Sequence, residues 1–337
     1  MDGPARYTHL LALTDHHGVF EHALLDAPRR EHGYCVDDVA RALIVVARDP
    51  EPSAELSRSA ETYLDFLDAA IGSDGLVHNR MDASGEWSDE HAMGDWWGRL
   101  LWAAGTAAAR ASDPAVRTRA LQMFRRAARQ RSSELHTIAF AALGAAEVAS
   151  AYPGDTDAAR ILRDLIDAIP AAPRESWPWP EPRLSYGNAS IAEALIAAGT
   201  ELGDVVATDR GLLLLTFLLT LETADGRLSV TGTGGRGPGE VGPQFDQQPI
   251  EVAAIADACA RAYAQTGDTA WRAGVDLAWQ WFSGRNDSGT PMIDHDTGAG
   301  FDGLERDGRN ENRGAESTLA ALSTHQQARR LGLLRAA

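Results

Sequence analysis

The chain has 337 residues, 48 acidic against 31 basic, and a formal charge of −17. Every basic residue is Arg, which excludes a Schiff-base lysine of the pyridoxal-phosphate or aldolase kind and the lysine of a phosphate-binding P-loop. The acid excess argues against nucleic acid and anionic membrane as partners, and Cys35 and Cys259, the 2 cysteines, are too few for a disulfide framework, which makes a reducing, cytoplasmic setting the expectation.

The N-terminal Met-Asp-Gly-Pro lacks the basic and apolar regions of a secretory signal. Apolar residues at three- and four-residue spacing then predict helices over 35–48, 53–71, 95–111, 114–131, 135–151, 156–169, 188–202, 205–222, 248–265, 268–283 and 315–331. Asp113-Pro114, Pro153-Gly154-Asp155 and Gly267-Asp268 supply stop and start signals. Residues 75–88 alternate loosely around Gly75 and Gly85 and read as a hairpin, as does Arg227–Thr231. The longest apolar run, Leu212 to Leu219, is too short to span a bilayer.

Long and short connections alternate along these helices. Short links make antiparallel pairs, and repeated pairs must stack to bury their apolar faces. The first helix of each pair is poor in charge and rich in small residues, as in Leu100–Ala109, Ile138–Ala149, Ala189–Ala198 and Val252–Ala260. The second carries a charged face, as in Arg117, Arg119, Arg125, Arg126 and Arg129. An apolar inner ring inside an amphipathic outer ring is an all-α barrel, an (α/α)6 toroid. No linker interrupts the chain, so 1–337 reads as a single domain. A ring of six hairpins needs one more helix than the eleven predicted, and residues 5–14 are the candidate for closing it.

In such a ring the long segments emerge at one end, and they carry the chemistry. Of the 10 His, those at 16, 17, 22, 32, 78, 91, 136 and 295 lie in or beside them, as do Trp87, Trp96, Trp97, Trp177 and Trp179. Aromatic rings offer flat faces to the C–H side of a pyranose, polar side chains offer bonds to hydroxyls, and two carboxyls, one of them protonated, are what glycosidic cleavage needs. Each group also has a structural reading. Asp37, Asp38, Asp95 and Ser317 sit at helix starts, where such residues cap and complement the dipole. Asp38 to Arg41 and Asp95 to Arg99 have the spacing of helical ion pairs. Glu251 lies in an apolar first turn and needs a buried partner. Trp96 and Trp97 serve a core as readily as a sugar. The His residues lack zincin spacing and no Cys pair has zinc spacing, so no metal and no cofactor is expected. The Gly-rich run 232–242 lacks a following Lys and reads as a mobile lid.

Gly33-Tyr34-Cys35-Val36-Asp37-Asp38-Val39-Ala40-Arg41-Ala42-Leu43 resembles the GYC-x-DD-x-ARAL motif of a bacterial glycosyltransferase-associated family. Asp95-x-x-Gly98-Arg99 with Trp102, Phe245-Asp246-Gln247-Gln248-Pro249-Ile250-Glu251 and Asn310-x-Asn312-x-Gly314-Ala315-Glu316-Ser317 are similar to further stretches of it. That family resembles the six-hairpin glycosidase superfamily, whose barrels house hydrolases, lyases, epimerases and phosphorylases. The resemblance implies sugar chemistry and a link to a glycosyltransferase. Two positions depart from the expected pattern: Arg313 stands where a Gln is expected, and Gly94 where an acid or small polar residue is.

The expectation is a glycoside hydrolase of the two-carboxylate, inverting layout acting on an oligosaccharide or glycoside. Asp38, Asp95, Asp246 and Glu316 are the candidate catalytic acids. Asp37, Arg41, Trp96, Trp97, Arg99, Trp179, Tyr186, Asn188, Gln247, Gln248, Glu251, Asn310 and Asn312 are the candidate substrate-binding residues. The alternatives are a sugar phosphorylase, an epimerase using loop imidazoles such as His91 and His136, and a non-catalytic glycan-binding partner of a glycosyltransferase.

Overall fold

A computed structural model describes residues 5–170 and 177–334; the Met-Asp-Gly-Pro stretch lies outside them. Among the described residues there are twelve α-helices: α1 (Thr8–Ala12), α2 (Val36–Ala47), α3 (Ala54–Ala70), α4 (Asp95–Arg110), α5 (Pro114–Ala127), α6 (Leu135–Ala151), α7 (Thr156–Ala168), α8 (Asn188–Leu202), α9 (Val205–Leu221), α10 (Pro249–Thr266), α11 (Thr269–Phe282) and α12 (Ala315–Arg330). The even-numbered helices pack side by side in a closed cycle, α2 on α4, α4 on α6, α6 on α8, α8 on α10, α10 on α12 and α12 back on α2. The odd-numbered helices lie outside, α3, α5, α7, α9 and α11 each against the helix that precedes it and α1 against α12. The fold is thus the all-α (α/α)6 barrel. The N-terminal segment holds a five-residue helix, where the other outer helices run to thirteen residues or more.

Composition explains which ring each helix joins. Inner helices are buried nearly all round, α8 from Asn188 to Gly199 without a break. Outer helices bury one stripe, as α7 does with Ala158, Ile161, Leu162 and Leu165. Glycine sets the closest inner contact. A Cβ built on Gly105 would lie 2.1 Å from the Gly144 carbonyl oxygen, and one on Gly144 would lie 2.0 Å from that of Leu101. Only hydrogen at these positions lets α4 and α6 approach so closely. Large side chains including Trp102, Phe140, Ile250 and Leu319 then fill the barrel axis, leaving a gap of only about 40 Å³ between its two ends.

The strand pairs are short and antiparallel. Ala23–Leu24 pairs with Ala27–Pro28, Tyr34–Cys35 with Arg80–Met81, Thr223–Ala224 with Arg227–Leu228, and Gly303–Glu305 with Gly308–Asn310. The expected hairpin over 75–88 is only partly local: Met81 faces Trp87 across a turn, but the main partner of Arg80–Met81 is the distant strand leading into α2. Local alternation reveals a strand and not its partner. The Gly-rich run is also not free as a lid would be. Arg236 is buried, and its guanidinium donates to the carbonyls of Leu221 (2.8 Å) and Gly242 (3.2 Å), while Glu240 accepts from the Gly237 amide (3.0 Å) and pairs with Arg183 (2.6 Å). Among the described residues no helix is long and apolar enough to cross a membrane.

Candidate active site

The long connections all lead into N-termini of inner helices, so those six helix starts gather at one end of the barrel. Their local chemistry differs from that of the outer helices. Ser53, Asp113, Asp155, Asp204 and Asp268 each accept a backbone N–H at the start of an outer helix. The residues before the inner helices, Cys35, Gly94, Glu134, Gly187, Gln248 and Gly314, make no such bond. The acids of the inner helices instead lie one or more positions inside the first turn. They complement the positive helix ends without being used up as caps. Capping therefore does not account for Asp37, Asp38 and Asp95.

A cavity of about 500 Å³ opens among these helix starts. Of the predicted residues, Asp37, Asp38, Arg41, Asp95, Trp96, Arg99, Tyr186, Gln248 and Glu316 line it. Asp38 is 3% exposed and accepts from Arg41 Nη1 at 2.5 Å and from the Cys35 thiol at 3.3 Å. The other end of the Arg41 guanidinium holds Glu316, 2.7 Å from Nη2. Burial pushes the Asp38 carboxyl up to about 6; Arg41 opposes this, and Glu316, Glu21 and Asp37 add to it. Asp37 faces Arg99, whose Nε lies 3.1 Å away and whose guanidinium lies 3.9 Å over the Phe140 ring. Burial and the Arg41 charge bring the Arg99 guanidinium down to about 10.

Asp95, the first residue of α4, has both oxygens engaged. Thr137 Oγ1 donates to one at 2.6 Å, and the Tyr186 hydroxyl donates to the other. Tyr186 stacks on His136 at 5.2 Å and stands before Gly187, whose φ of 57° needs a residue without Cβ. Trp96 turns its indole N–H to the Val77 carbonyl at 3.0 Å. Its ring folds over Gly94, where a Cβ would lie 2.2 Å from it.

Other predicted residues lie outside the cavity wall. Glu251 is buried and accepts from the Gly187 amide and from the Asn188 side chain (3.0 Å), so Glu251 and Asn188 together anchor the start of α8. Burial, then the Glu222 charge, push its carboxyl to about 7 against the donors it accepts. Gln247 is fully buried and spans Trp281 (3.1 Å) and Asp287 (2.7 Å). Trp97 is core, bonded to the Ala127 carbonyl at 3.2 Å, and Trp179 lies against Phe217. Asn310 accepts from the Asn312 amide (3.0 Å), and Asn312 from the Leu25 amide (2.9 Å), which shapes the loops beside the cavity. Asp246 is pressed against Gly303; burial, Glu305 and Asp302 raise its carboxyl. Arg313 lies by Phe301 and Asp294, away from the cavity.

Five groups that the motif reading did not select do line the cavity: Glu21, His22, Asn79, Arg80 and Asp302. Glu21 pairs with Arg80. Asp302 accepts from the Gly314 amide at 2.7 Å, and burial, opposed by that bond and by Ser317, raises its carboxyl. Phe301-Asp302-Gly303 gave no helix periodicity and no motif, so only its place in a long loop marked it. Glu21, Cys35 and Asp38 also bring one ligand atom each within 4.8 Å of one another, a spacing that a cation could bridge. Arg80 and Arg41 already neutralise those two carboxyls.

No family profile matches the chain. No curated protein is similar to it in sequence. Solved structures share its fold. A sugar epimerase from a ruminal bacterium superposes with a TM-score of 0.74 at 14% identity, over 97% of this chain and 95% of that one. Cellobiose 2-epimerase from Bacillus thermoamylovorans gives 0.73 at 12% identity, over 97% and 95%. The cellulase Cel9M of C. cellulolyticium, solved in complex with cellobiose, gives 0.64 at 9% identity, over 93% and 87%.

Proposed function

We propose that the chain is a single-domain, cytoplasmic carbohydrate-active enzyme that cleaves a glycosidic bond with two carboxyls, Asp38 as proton donor and Asp95 as the base that activates water. The observation that carries this reading is Asp38 itself: a buried carboxyl whose pKa of about 6 keeps a transferable proton near neutrality, on the wall of a sugar-sized cavity. Asp95 stands on the next inner helix with no ion-pair partner among the described residues, oriented by Thr137 and Tyr186. Arg41 holds Asp38 in place and ties it to Glu316. Trp96 and Tyr186 supply the aromatic faces. The four motifs support membership of the glycosyltransferase-associated family, and through it a functional link to a glycosyltransferase.

Epimerisation is the second reading, and the two epimerases of the same fold favour it. It calls for imidazoles at the reacting carbon. His91 packs on His78 at 3.7 Å and His136 contacts Glu181 at 3.1 Å; neither lines the cavity, where His22 is the imidazole. The wall is richer in carboxyls than in imidazoles, which favours cleavage.

The test is a panel of disaccharides and aryl glycosides, each incubated with the enzyme and analysed for reducing sugar and for epimer. Release of reducing sugar that disappears in Asp38→Asn and Asp95→Asn supports the assignment. Turnover that survives either substitution at the native rate removes that residue from the mechanism. An epimer formed without chain cleavage replaces the hydrolase reading with the second one.

A further inference from the structure

The charges on the cavity wall are unequal, and the ion pairs show where the inequality lies. Every guanidinium on the wall faces a carboxyl, Arg41 with Asp38 and Glu316, Arg80 with Glu21, and Arg99 with Asp37, although Arg99 Nη2 is buried without a hydrogen-bond partner among the described residues. Two carboxyls remain. Asp95 takes hydroxyl donors, and Asp302 takes the Gly314 amide and Ser317. Among the described residues neither makes an ion pair, and both face the same space. A ligand entering it meets more carboxyls than guanidiniums, with the His22 imidazole as the other group there that can carry positive charge.

We propose that this cavity selects its sugar by charge: an amino sugar with a free ammonium is bound in preference to its neutral counterpart, with Asp302 as the ammonium partner, and sugars bearing carboxylate or phosphate are refused. The inference rests on the carbohydrate reading above. An ammonium brought beside Asp302 gives it an ion-pair partner, and the attraction is stronger in a partly desolvated cleft than in water. An anionic sugar would bring a further negative charge to a wall where carboxyls already outnumber guanidiniums. The same inventory bears on the acceptor. Orthophosphate would meet the same excess of carboxyls over guanidiniums, which disfavours phosphorolysis relative to attack by water.

The experiment is calorimetric titration of the full chain with matched trios: glucosamine, glucose and glucuronic acid, then the mannose and galactose equivalents. In at least one trio the amino sugar should bind about tenfold more tightly than the neutral sugar, and the acid more weakly than either. The preference should shrink toward unity in Asp302→Asn. If that variant does not fold, the wild-type ratio is measured again at about 0.5 M salt, where screening should reduce it several-fold. Neutral sugars bound as tightly as amino sugars, an acid bound as tightly as its neutral partner, or a preference indifferent to both Asp302→Asn and salt overturns the charge-selection proposal and leaves the carbohydrate reading standing. If no sugar of any charge binds, the carbohydrate reading falls and this inference falls with it.

Discussion

The two ends of the barrel each hold a cavity of about the same size, roughly 500 Å³ at the helix starts and 510 Å³ at the helix ends, and both are lined with charge. They handle that charge differently. At the far end the buried acids are matched: Asp257 by Arg48 at 3.0 Å, Glu147 by Arg110 at 2.7 Å and Glu193 by Arg261 at 2.9 Å. The arginines there sit where helix ends are negative, and the acids join a network that also takes in Ser323 and Gln327. At the near end carboxyls outnumber guanidiniums, Asp95 and Asp302 make no ion pair among the described residues, and burial raises the Asp38 carboxyl to about 6. A matched network resists change, whereas an unmatched one can do chemistry. The apolar filling of the barrel axis separates the two, so each can be tested without disturbing the other.

The comparison breaks most sharply at Asp38. In Asp38→Asn, kcat/KM on the best glycoside should fall about 1,000-fold, because the amide cannot deliver the proton. The melting temperature should hold or rise, since a carboxyl disfavoured chiefly by burial has been neutralised. A loss of activity that merely tracks unfolding would move Asp38 into the structural class of the far end.

Asp257→Asn should do the reverse. Removing the acid leaves Arg48 buried without its counter-charge, at a cost of about 3 kcal/mol, read as a lowered midpoint in urea. Activity per folded molecule should stay near the native level. A kinetic defect in the folded fraction would mean that the axis does not insulate the two ends.

Next comes pH. The Asp38 carboxyl is pushed up to about 6 from an ordinary value near 4; as the proposed proton donor it must be protonated to act, so kcat/KM should fall about tenfold per unit above pH 6. The sign for stability follows from the same shift. The native state holds this proton more firmly than the unfolded chain does, so the contribution of Asp38 is fully present below pH 4 and is lost as pH rises through 6. Between about pH 4 and 6 wild type should lose stability that Asp38→Asn keeps, with little further change above that range.

Gly105→Ala probes the frame that both ends share. The added methyl meets the Gly144 carbonyl at 2.1 Å, so α4 and α6 must part, and about 2 kcal/mol of stability should be lost by thermal unfolding. Asp95 opens α4, and kcat should fall modestly with it.

How much of this was legible follows from the range of each signal. The two rings were legible because burial stamps itself on every turn of a helix: Ala189–Ala198 has no charged face except Glu193, and that acid is taken by Arg261. The site end was legible because helix order and loop length fix where long segments emerge. The partition of residues within it was not. Glu251 and Asp38 are both acids in the first turn of an inner helix, yet Glu251 points to the neighbouring α8 start and Asp38 lines the cavity. Helical spacing leaves that difference to the neighbour's backbone. Gln247 and Gln248 are adjacent and part company for the same reason, one bonded to Trp281 and the other on the wall. Asp302 stayed hidden because its role depends on contacts with Gly314 and Ser317 across a loop, which no periodicity encodes.

The smallest expected effect tests the aromatic face alone. Gly94 has extended backbone, φ −174°, so any residue fits its conformation; the constraint is the space taken by the Trp96 ring. Gly94→Ser would put its Cβ about where that ring lies, and the indole must swing off its bond to the Val77 carbonyl. The acids are untouched, so kcat should stay close to the native value while KM rises about threefold to tenfold, the amount expected from losing one stacked ring face. Trp96→Ala should give the same KM, and the double variant should add nothing further, because both changes remove one contact. A KM that stays native in both variants would take Trp96 out of the sugar site and leave the near end distinguished from the far end by its charges alone.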